Sequence, residues 1–346
     1  MYQLTEKLRE LVPYEPISGE YKIRLDANES FFVTPAEVIA RAAGKAALNR
    51  YPDPYAKCAV DAFAGFYGLS PDTVTAGNGS DELISILTGC FLKKGEKVLC
   101  FSRDFSMYSF YSYLYELEVL VMEKEPDLTI DVDKAIACAN ENNVRCIIFS
   151  NPCNPTSLGL KKADVKRLIE NVNALVALDE AYMDFWDESE SFLGDVEKYD
   201  NLIVLRTCSK ALAMAGIRLG LAVTDKVKTN ALRAAKSPYN VNSVTQLIAA
   251  EVLSDRELLI KNTAEVKRSI RELYTMLTEL NCPYFEKIYD TVTNFVYIKC
   301  EKCREVYEYL LSRSIAVRCM NGYLRITCGT AEENRAVAAA IADFRA

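Results

Sequence analysis

The feature that most constrains this chain is a series of short apolar runs, rich in β-branched residues, set between helical patterns. They are Lys97 to Phe101, Leu117 to Met122, Arg145 to Phe149, Ala174 to Leu178, Leu202 to Leu205 and Leu219 to Val223. They lack the in-and-out alternation of a strand with one wet face, so they call for a mostly parallel sheet covered by helices on both sides. That architecture is an α/β domain, and in it ligands bind beyond the carboxyl ends of the strands. Polar words stand at those ends: Asn151 to Ser157, Asp179 to Tyr182, and Thr207 to Lys210.

The rest of the chain divides around this domain. At 346 residues there is material for roughly two domains. Leu4, Leu8, Leu11 and Val12 share one face of a short N-terminal helix that Pro13 closes. A helical pattern runs from Pro35 to Leu48, and a strand from Val74 leads into Gly77-Asn78-Gly79-Ser80-Asp81 and another helix. After Ser243 one long helical region is expected to about Leu280. Strand-like pieces at Thr293 to Ile298 and Leu324 to Ile326 then alternate with helices at Cys303 to Ser312 and Ala331 to Phe344. These predict a smaller α+β domain on which the N-terminal arm packs. The expected division is a large domain over residues 36–250, with residues 1–35 and 251–346 forming the arm and the small domain.

Composition removes several functional classes. The net charge of −7 offers no basic surface for nucleic acid or an anionic membrane. No apolar run is long enough to span a membrane, and the N-terminus carries charges where a signal peptide needs an apolar core, so a cytoplasmic location is expected. The 12 cysteines are scattered and are expected to be free thiols. Of Cys300, Cys303, Cys319 and Cys328 only the first two have ligand spacing, and with no histidine to complete a set no metal is expected. The absence of histidine also excludes Ser-His and Cys-His nucleophiles. Proton transfer is left to lysine, tyrosine and carboxylates.

Lys210 is the centre of the polar words. It follows a buried strand, has Thr207 and Ser209 as hydroxyl neighbours, and meets Arg218 eight residues later. That set suits an amine condensing with a carbonyl beside a phosphate. The Gly79-Ser80-Asp81 turn presents N–H groups at a helix N-terminus, where an anion is favoured; the same word also suits an ordinary turn with Ser80 or Asp81 as cap. A Ser-Lys hydrolase is disfavoured, because Ser209 and Lys210 are adjacent rather than spaced S-x-x-K on a helix.

Taken jointly, Ser150-Asn151-Pro152-Cys153-Asn154-Pro155-Thr156, then Ala177-Leu178-Asp179-Glu180-Ala181-Tyr182, then Thr207-Cys208-Ser209-Lys210 resemble fold-type I pyridoxal-phosphate (PLP) enzymes. Among these the chain is most similar to the histidinol-phosphate aminotransferase family, over nearly its whole length. The resemblance implies a PLP-dependent transferase with a mostly parallel mixed sheet between helices and a smaller α+β domain. It implies that Lys210 holds the cofactor covalently and shuttles a proton, that Asp179 keeps the pyridine nitrogen protonated, and that Tyr182 and Asn154 share the phenolic oxygen. Phe105 would stack on the ring. Gly79, Ser80, Asp81, Thr207, Ser209 and Arg218 would hold the phosphate, joined by Tyr51 from a second subunit, which implies a homodimer with shared active sites.

On the substrate side the resemblance assigns a carboxylate grip to Arg325, a phosphate grip to Arg318, and closure of the site to Tyr14 and the Asp26-Ala27-Asn28-Glu29 word, with Asn28 among the substrate-binding residues. Asn154 also faces the substrate. The substrates implied are a small-molecule amino donor, histidinol phosphate or a related amine, and a 2-oxo acid acceptor, 2-oxoglutarate. A threonine-phosphate decarboxylase or an aromatic amino acid aminotransferase could use the same scaffold. A cofactor-sensing regulator fused to a DNA-binding segment does not suit this chain, which opens on one short helix with net negative charge. One departure is Ser157, where the family usually has glycine; a left-handed backbone there would be strained, so the turn is expected to change shape or move to Leu158-Gly159.

Overall fold

The computed structural model describes residues 2–13 and 17–345. Tyr14 lies outside the described residues. Strand β1 (Ile23–Arg24) precedes seven strands of a central sheet, β2 (Val74–Asn78), β3 (Lys97–Phe101), β4 (Glu118–Met122), β5 (Cys146–Ser150), β6 (Leu175–Asp179), β7 (Leu202–Thr207) and β8 (Leu219–Thr224). Their order is β2-β8-β7-β6-β5-β3-β4. Every neighbouring pair from β7 to β4 is parallel, and β8 runs antiparallel to both of its neighbours.

Alternate residues of these strands sort into two apolar layers, which is why the runs contain so few polar members. In β7, Leu202 and Val204 join Phe149 and Leu178 on one side, while Ile203 and Leu205 join Ile148 and Ala177 on the other. The first layer is covered by Phe63, Ala135, Leu168 and Ala249 from four helices; the second by Leu83, Leu87, Tyr108 and Leu232 from three. Each aliphatic side chain so buried contributes roughly 2 kcal/mol. A one-residue slip would exchange the faces, so register is firmly held.

The smaller unit holds β9 (Phe285–Ile288), β10 (Phe295–Cys300), β11 (Ile315–Ala316), β12 (Arg318–Cys319) and β13 (Tyr323–Thr327). Four of these form an antiparallel sheet in the order β12-β13-β10-β9, and β11 pairs in parallel with β1. Val266, Ile270, Leu273 and Leu277 of the helix Arg256–Glu279 line up at helical spacing and close its core with Phe295, Leu324 and Ile341. The final helix, Ala331–Asp343, starts on a capping box between Thr330 and Glu333.

Three expectations need correction. The single helical region after Ser243 is two helices, Ser243–Leu253 and Arg256–Glu279, and the Asp255 carboxylate restarts the second by accepting from the Leu258 N–H at 3.1 Å. Apolar spacing continues across the break, so periodicity alone conceals it. The Pro35 to Leu48 pattern is helical only over Ala36–Ala43. The N-terminal arm is also divided between the two units. The helix Glu6–Glu10 is held by the large unit through its charged groups, with Lys7 Nζ 2.7 Å from Glu116 and Tyr113 donating to Glu10 at 2.9 Å, and it leaves Leu4, Leu8 and Val12 exposed. The segment around β1 is what joins the small unit, by Leu25 N to Ala316 O (2.8 Å) and Thr327 N to Leu25 O (3.0 Å).

Ser157 does not move the turn. It keeps the left-handed backbone (φ 64°) in full burial, and its hydroxyl sits 2.5 Å from Thr156 O and 2.8 Å from Asp290 O. The strain of a non-glycine residue is offset by tying the turn to the small unit.

Candidate active site

The carboxyl ends of β5, β6 and β7, the start of the helix Gly79–Cys90 and the edge of the small sheet enclose a cavity of about 430 Å³. Lys210, Asp179, Tyr182, Asn154, Phe105 and Asn28 all line it, as do Ser80, Asp81, Thr207, Ser209, Arg218, Arg318 and Arg325. Groups from Asn28 to Arg325 thus meet in one space: the parallel strands all end on the same edge, and the arm segment after β1 and the small sheet close over it.

Lys210 is half-buried, its Nζ donating to the Ala27 carbonyl at 3.1 Å and standing 5.8 Å from the centre of the Tyr182 ring. Asp179, 4% exposed at the end of β6, has no basic side chain as hydrogen-bond partner among the described residues. Burial pushes its carboxyl up to about 6, against the lowering effect of a hydrogen bond from the Tyr108 hydroxyl (2.8 Å to Oδ2) and one from the Ala181 N–H (3.0 Å to Oδ1). A buried carboxylate in that state is one that a cationic ring nitrogen would stabilise.

At the other end of the cavity is an anion cup. Gly79 opens its helix with φ +79°, and a Cβ there would lie 2.7 Å from Arg218 Nη2; a Cβ on Gly220 would lie 2.3 Å from Ser80 N. Backbone contact this close lets the helix N–H groups and the guanidinium converge. Arg218 reaches Asp81 Oδ2 at 3.3 Å and Ser209 Oγ at 3.4 Å, and Ser209 Oγ accepts from the Thr207 hydroxyl at 3.0 Å. Gly220→Ala should displace the helix start. We expect a loss of about 1–3 kcal/mol in stability and a weaker grip on free PLP, read from thermal unfolding and from fluorescence titration.

The substrate side is held by a chain of polar contacts. Ser150 donates to Asp104 and accepts from the Asn154 N–H (3.1 Å); Asn154 Oδ1 in turn accepts from Arg325 Nη1 (2.6 Å), and Arg325 Nη2 donates to the Asp26 carbonyl (2.7 Å). Asn28, buried in a left-handed conformation (φ 55°) that asparagine tolerates, donates to the Tyr182 hydroxyl at 2.8 Å and exchanges hydrogen bonds with Thr327. Arg318 and Arg325 are register partners on β12 and β13, and both line the cavity.

Two candidate residues stand apart. Tyr51 does not line this cavity; it is 80% exposed and stacks on Tyr239 with ring centres 4.5 Å apart, beside a second hollow containing Arg50 and Gln246. Tyr14 is outside the described residues. Tyr108 and Asp104 are site residues that the sequence reading does not assign. Tyr108 lies in the first turn of the helix Met107–Leu114, three positions after Phe105, and the two rings meet edge to face with centres 5.5 Å apart; that nearness in sequence to Phe105 is the signal that could have found it. Among the described residues no cluster of three or more metal-ligating side chains occurs, and no helix is long and apolar enough to cross a membrane.

A family model for aminotransferase class I and II matches residues 20–341. The chain is 39% identical over 335 residues to histidinol-phosphate aminotransferase of Clostridium novyi (94% of this chain, 93% of that protein), and 34% identical to the protein of that name from Thermoanaerobacter sp. strain X514 (95% of each). Histidinol-phosphate aminotransferase from Sinorhizobium meliloti in complex with pyridoxal-5′-phosphate shares the fold with TM-score 0.89 at 22% identity, covering 99% of this chain and 97% of its own. L-threonine-O-3-phosphate decarboxylase from Porphyromonas gingivalis shares it with TM-score 0.79 at 20% identity, covering 92% and 98%. The chain belongs to the aminotransferase class I and II family and is a PLP-dependent aminotransferase. Within that family it resembles histidinol-phosphate aminotransferases along almost its full length. The donor set fits the cofactor: an amine, a buried carboxylate lacking a cation, and an anion cup at opposite ends of one cavity.

Proposed function

We propose that the enzyme transfers the amino group of histidinol phosphate to 2-oxoglutarate, serving histidine biosynthesis. The observation that carries this is the placement of Arg318 opposite Arg325 on neighbouring strands, both at the cavity wall. Like charges directly opposite on a sheet repel, so the pair favours a ligand rich in negative charge. Histidinol phosphate carries a phosphate dianion and 2-oxoglutarate two carboxylates, so one pair of guanidinium groups serves both half-reactions. The relatives' names support the same reading.

In this reading PLP, when bound, supplies an electron sink for the pair left behind when the α-proton departs. Asp179 presents its carboxylate to the ring nitrogen and is held in place by Tyr108 and the Ala181 N–H. Tyr182 and Asn154 would bind the phenolic oxygen, and Phe105 would stack on the ring. The N–H groups from Gly79 to Asp81 hold the phosphate with the side chains of Ser80, Thr207, Ser209 and Arg218. Lys210 would hold the cofactor covalently between turnovers, and its amine would take up and return the proton of the substrate α-carbon. Arg325, braced by Asn154 and the Asp26 carbonyl, grips a carboxylate; Arg318 grips the phosphate. Asn28 closes the site.

The working form we infer is a homodimer in which Tyr51 completes the partner's phosphate cup. The exposure of Tyr51 together with Leu48 and Tyr55, on the face that carries Tyr239, supports a covered surface there. The division into two domains at residues 36–250 and at 1–35 with 251–346 is part of this reading; the helix break between Leu253 and Arg256, close to that boundary, supports it. A cytoplasmic location accords with twelve free thiols.

The test is a panel of amino donors offered with 2-oxoglutarate, scored for glutamate formed and carbon dioxide released. Glutamate from histidinol phosphate supports the proposal; carbon dioxide from threonine phosphate, with no glutamate, would replace it by the decarboxylase reading. Arg325→Lys should raise the KM for 2-oxoglutarate about 10- to 100-fold, since lysine cannot form the bidentate grip. An unchanged KM would remove Arg325 from the substrate site.

A further inference from the structure

Outside the catalytic set, one pair of reactive side chains touches the wall of the same cavity from behind. The Sγ atoms of Cys303 and Cys319 are 2.8 Å apart, with both cysteines as free thiols. Cys303 is the first residue of the helix Cys303–Ser312 and is buried in the core of the small unit; Cys319 ends β12 and is half-buried. Strand β12 is two residues long and forms the edge of its sheet, with β13 as its only strand neighbour there. The residues on either side of Cys319, Arg318 and Met320, both line the active-site cavity.

We propose that Cys303 and Cys319 are a redox modification site, forming a reversible disulfide that draws the edge strand toward the helix and retracts Arg318 and Met320 from the cavity. Side chains alternate along an extended strand, so Cys319 points away from the cavity that its two neighbours face. Closing the thiols to a bond of about 2.05 Å therefore moves β12 in the direction of the helix. The oxidant is a hydroperoxide. The Cys319 thiolate, the more accessible of the two, attacks one peroxide oxygen, giving a sulfenic acid and hydroxide that takes up a proton. The Cys303 sulfur then displaces the sulfenic hydroxyl as water, so that two thiols and one hydrogen peroxide yield one disulfide and two waters. Burial holds the Cys303 thiol above its ordinary value, so it is the 2.8 Å contact with Cys319, and not thiolate character, that places it for the second step. A dithiol reverses the link by exchange. Transient disulfides of this kind are the form in which cytosolic proteins use the bond.

The effect on catalysis rests on the reading of Arg318 as a substrate grip, whereas formation of the link does not. The PLP-loaded full-length enzyme is treated with hydrogen peroxide and digested without reduction, and the peptides bearing Cys303 and Cys319 are sought as a linked pair two mass units below their sum. The same samples are assayed for KM toward histidinol phosphate and 2-oxoglutarate. We expect the linked pair, a KM at least threefold higher in the oxidised enzyme, return of both to the starting state with dithiothreitol, and no oxidant response of KM in Cys319→Ser. Cys303→Ala is the second variant, judged only if its unfolding temperature is within a few degrees of wild type. Oxidation that joins Cys319 to Cys300 or Cys282, or that modifies other thiols while leaving this pair reduced, overturns the proposal. A linked enzyme with unchanged KM overturns the coupling to the cavity, and Arg318→Ala tells the two failures apart: if that variant also leaves KM unchanged, the substrate reading of Arg318 is what fails.

Discussion

Lys210→Ala is expected to lower turnover by about 10⁴-fold or more, because one side chain carries both the covalent hold on the cofactor and the proton transfer, and a positioned acid–base group alone is worth 10²–10⁴. The fold should survive. Lys210 is half-buried and, among the described residues, its amine makes a single hydrogen bond, to the Ala27 carbonyl. Loss of the lysine leaves the anion cup around Arg218 and the carboxylate of Asp179 in place, so the variant should still bind PLP, but without covalent attachment. Borohydride reduction followed by intact-mass measurement separates the cases. Wild type should gain the reduced cofactor and Lys210→Ala should not; a variant that still gains it has another lysine as the attachment point.

Asp179→Asn should do two opposite things. With cofactor, turnover should fall at least about 100-fold, since the amide no longer holds a charge beside the ring nitrogen. Without cofactor the variant should be the more stable protein at neutral pH. The carboxyl is pushed up from 3.8 to about 6 by burial, so the folded state binds its proton more tightly than the unfolded state does. Below pH 3.8 the group is protonated in both states and costs nothing. As pH rises toward 6 the unfolded chain releases the proton first, and the wild type loses stability; above about 6 the full penalty is present, on the order of 3 kcal/mol at most. Asparagine can retain both hydrogen bonds, one from the Ala181 N–H and one with the Tyr108 hydroxyl, without the charge. The unfolding temperature of cofactor-free Asp179→Asn minus that of wild type should therefore widen between pH 4 and pH 7. A gap that does not change with pH would falsify the account of Asp179 as a carboxylate waiting for a cation.

Much of this site is legible in the chain because of how parallel sheets are built. Buried parallel strands are uninterrupted apolar runs, and their ends must turn polar, so Asp179 and Lys210 announce themselves at the boundaries of Leu175–Asp179 and Leu202–Thr207. The short strands β1, β9, β11 and β12 are less visible, since two to four residues carry too little pattern to stand out. The arm helix Glu6–Glu10 has an apolar face that suggests a partner, yet its observed contacts are made by charges. Sequence reports that a helix is amphipathic, without saying which surface receives it.

By itself the sequence determined the sheet, the order of its strands' polar ends and the chemical types gathered there, because hydrophobic period and residue chemistry are local properties. Only the tertiary structure decided which distant groups meet. Tyr108 reaches Asp179 across 71 positions. Asn28 joins Tyr182 to Thr327, Arg318 lands opposite Arg325, and Cys303 comes to rest beside Cys319. Each pairing depends on strand register and on the packing of one unit against the other. Those are set by the whole core, and no local stretch of chain contains them.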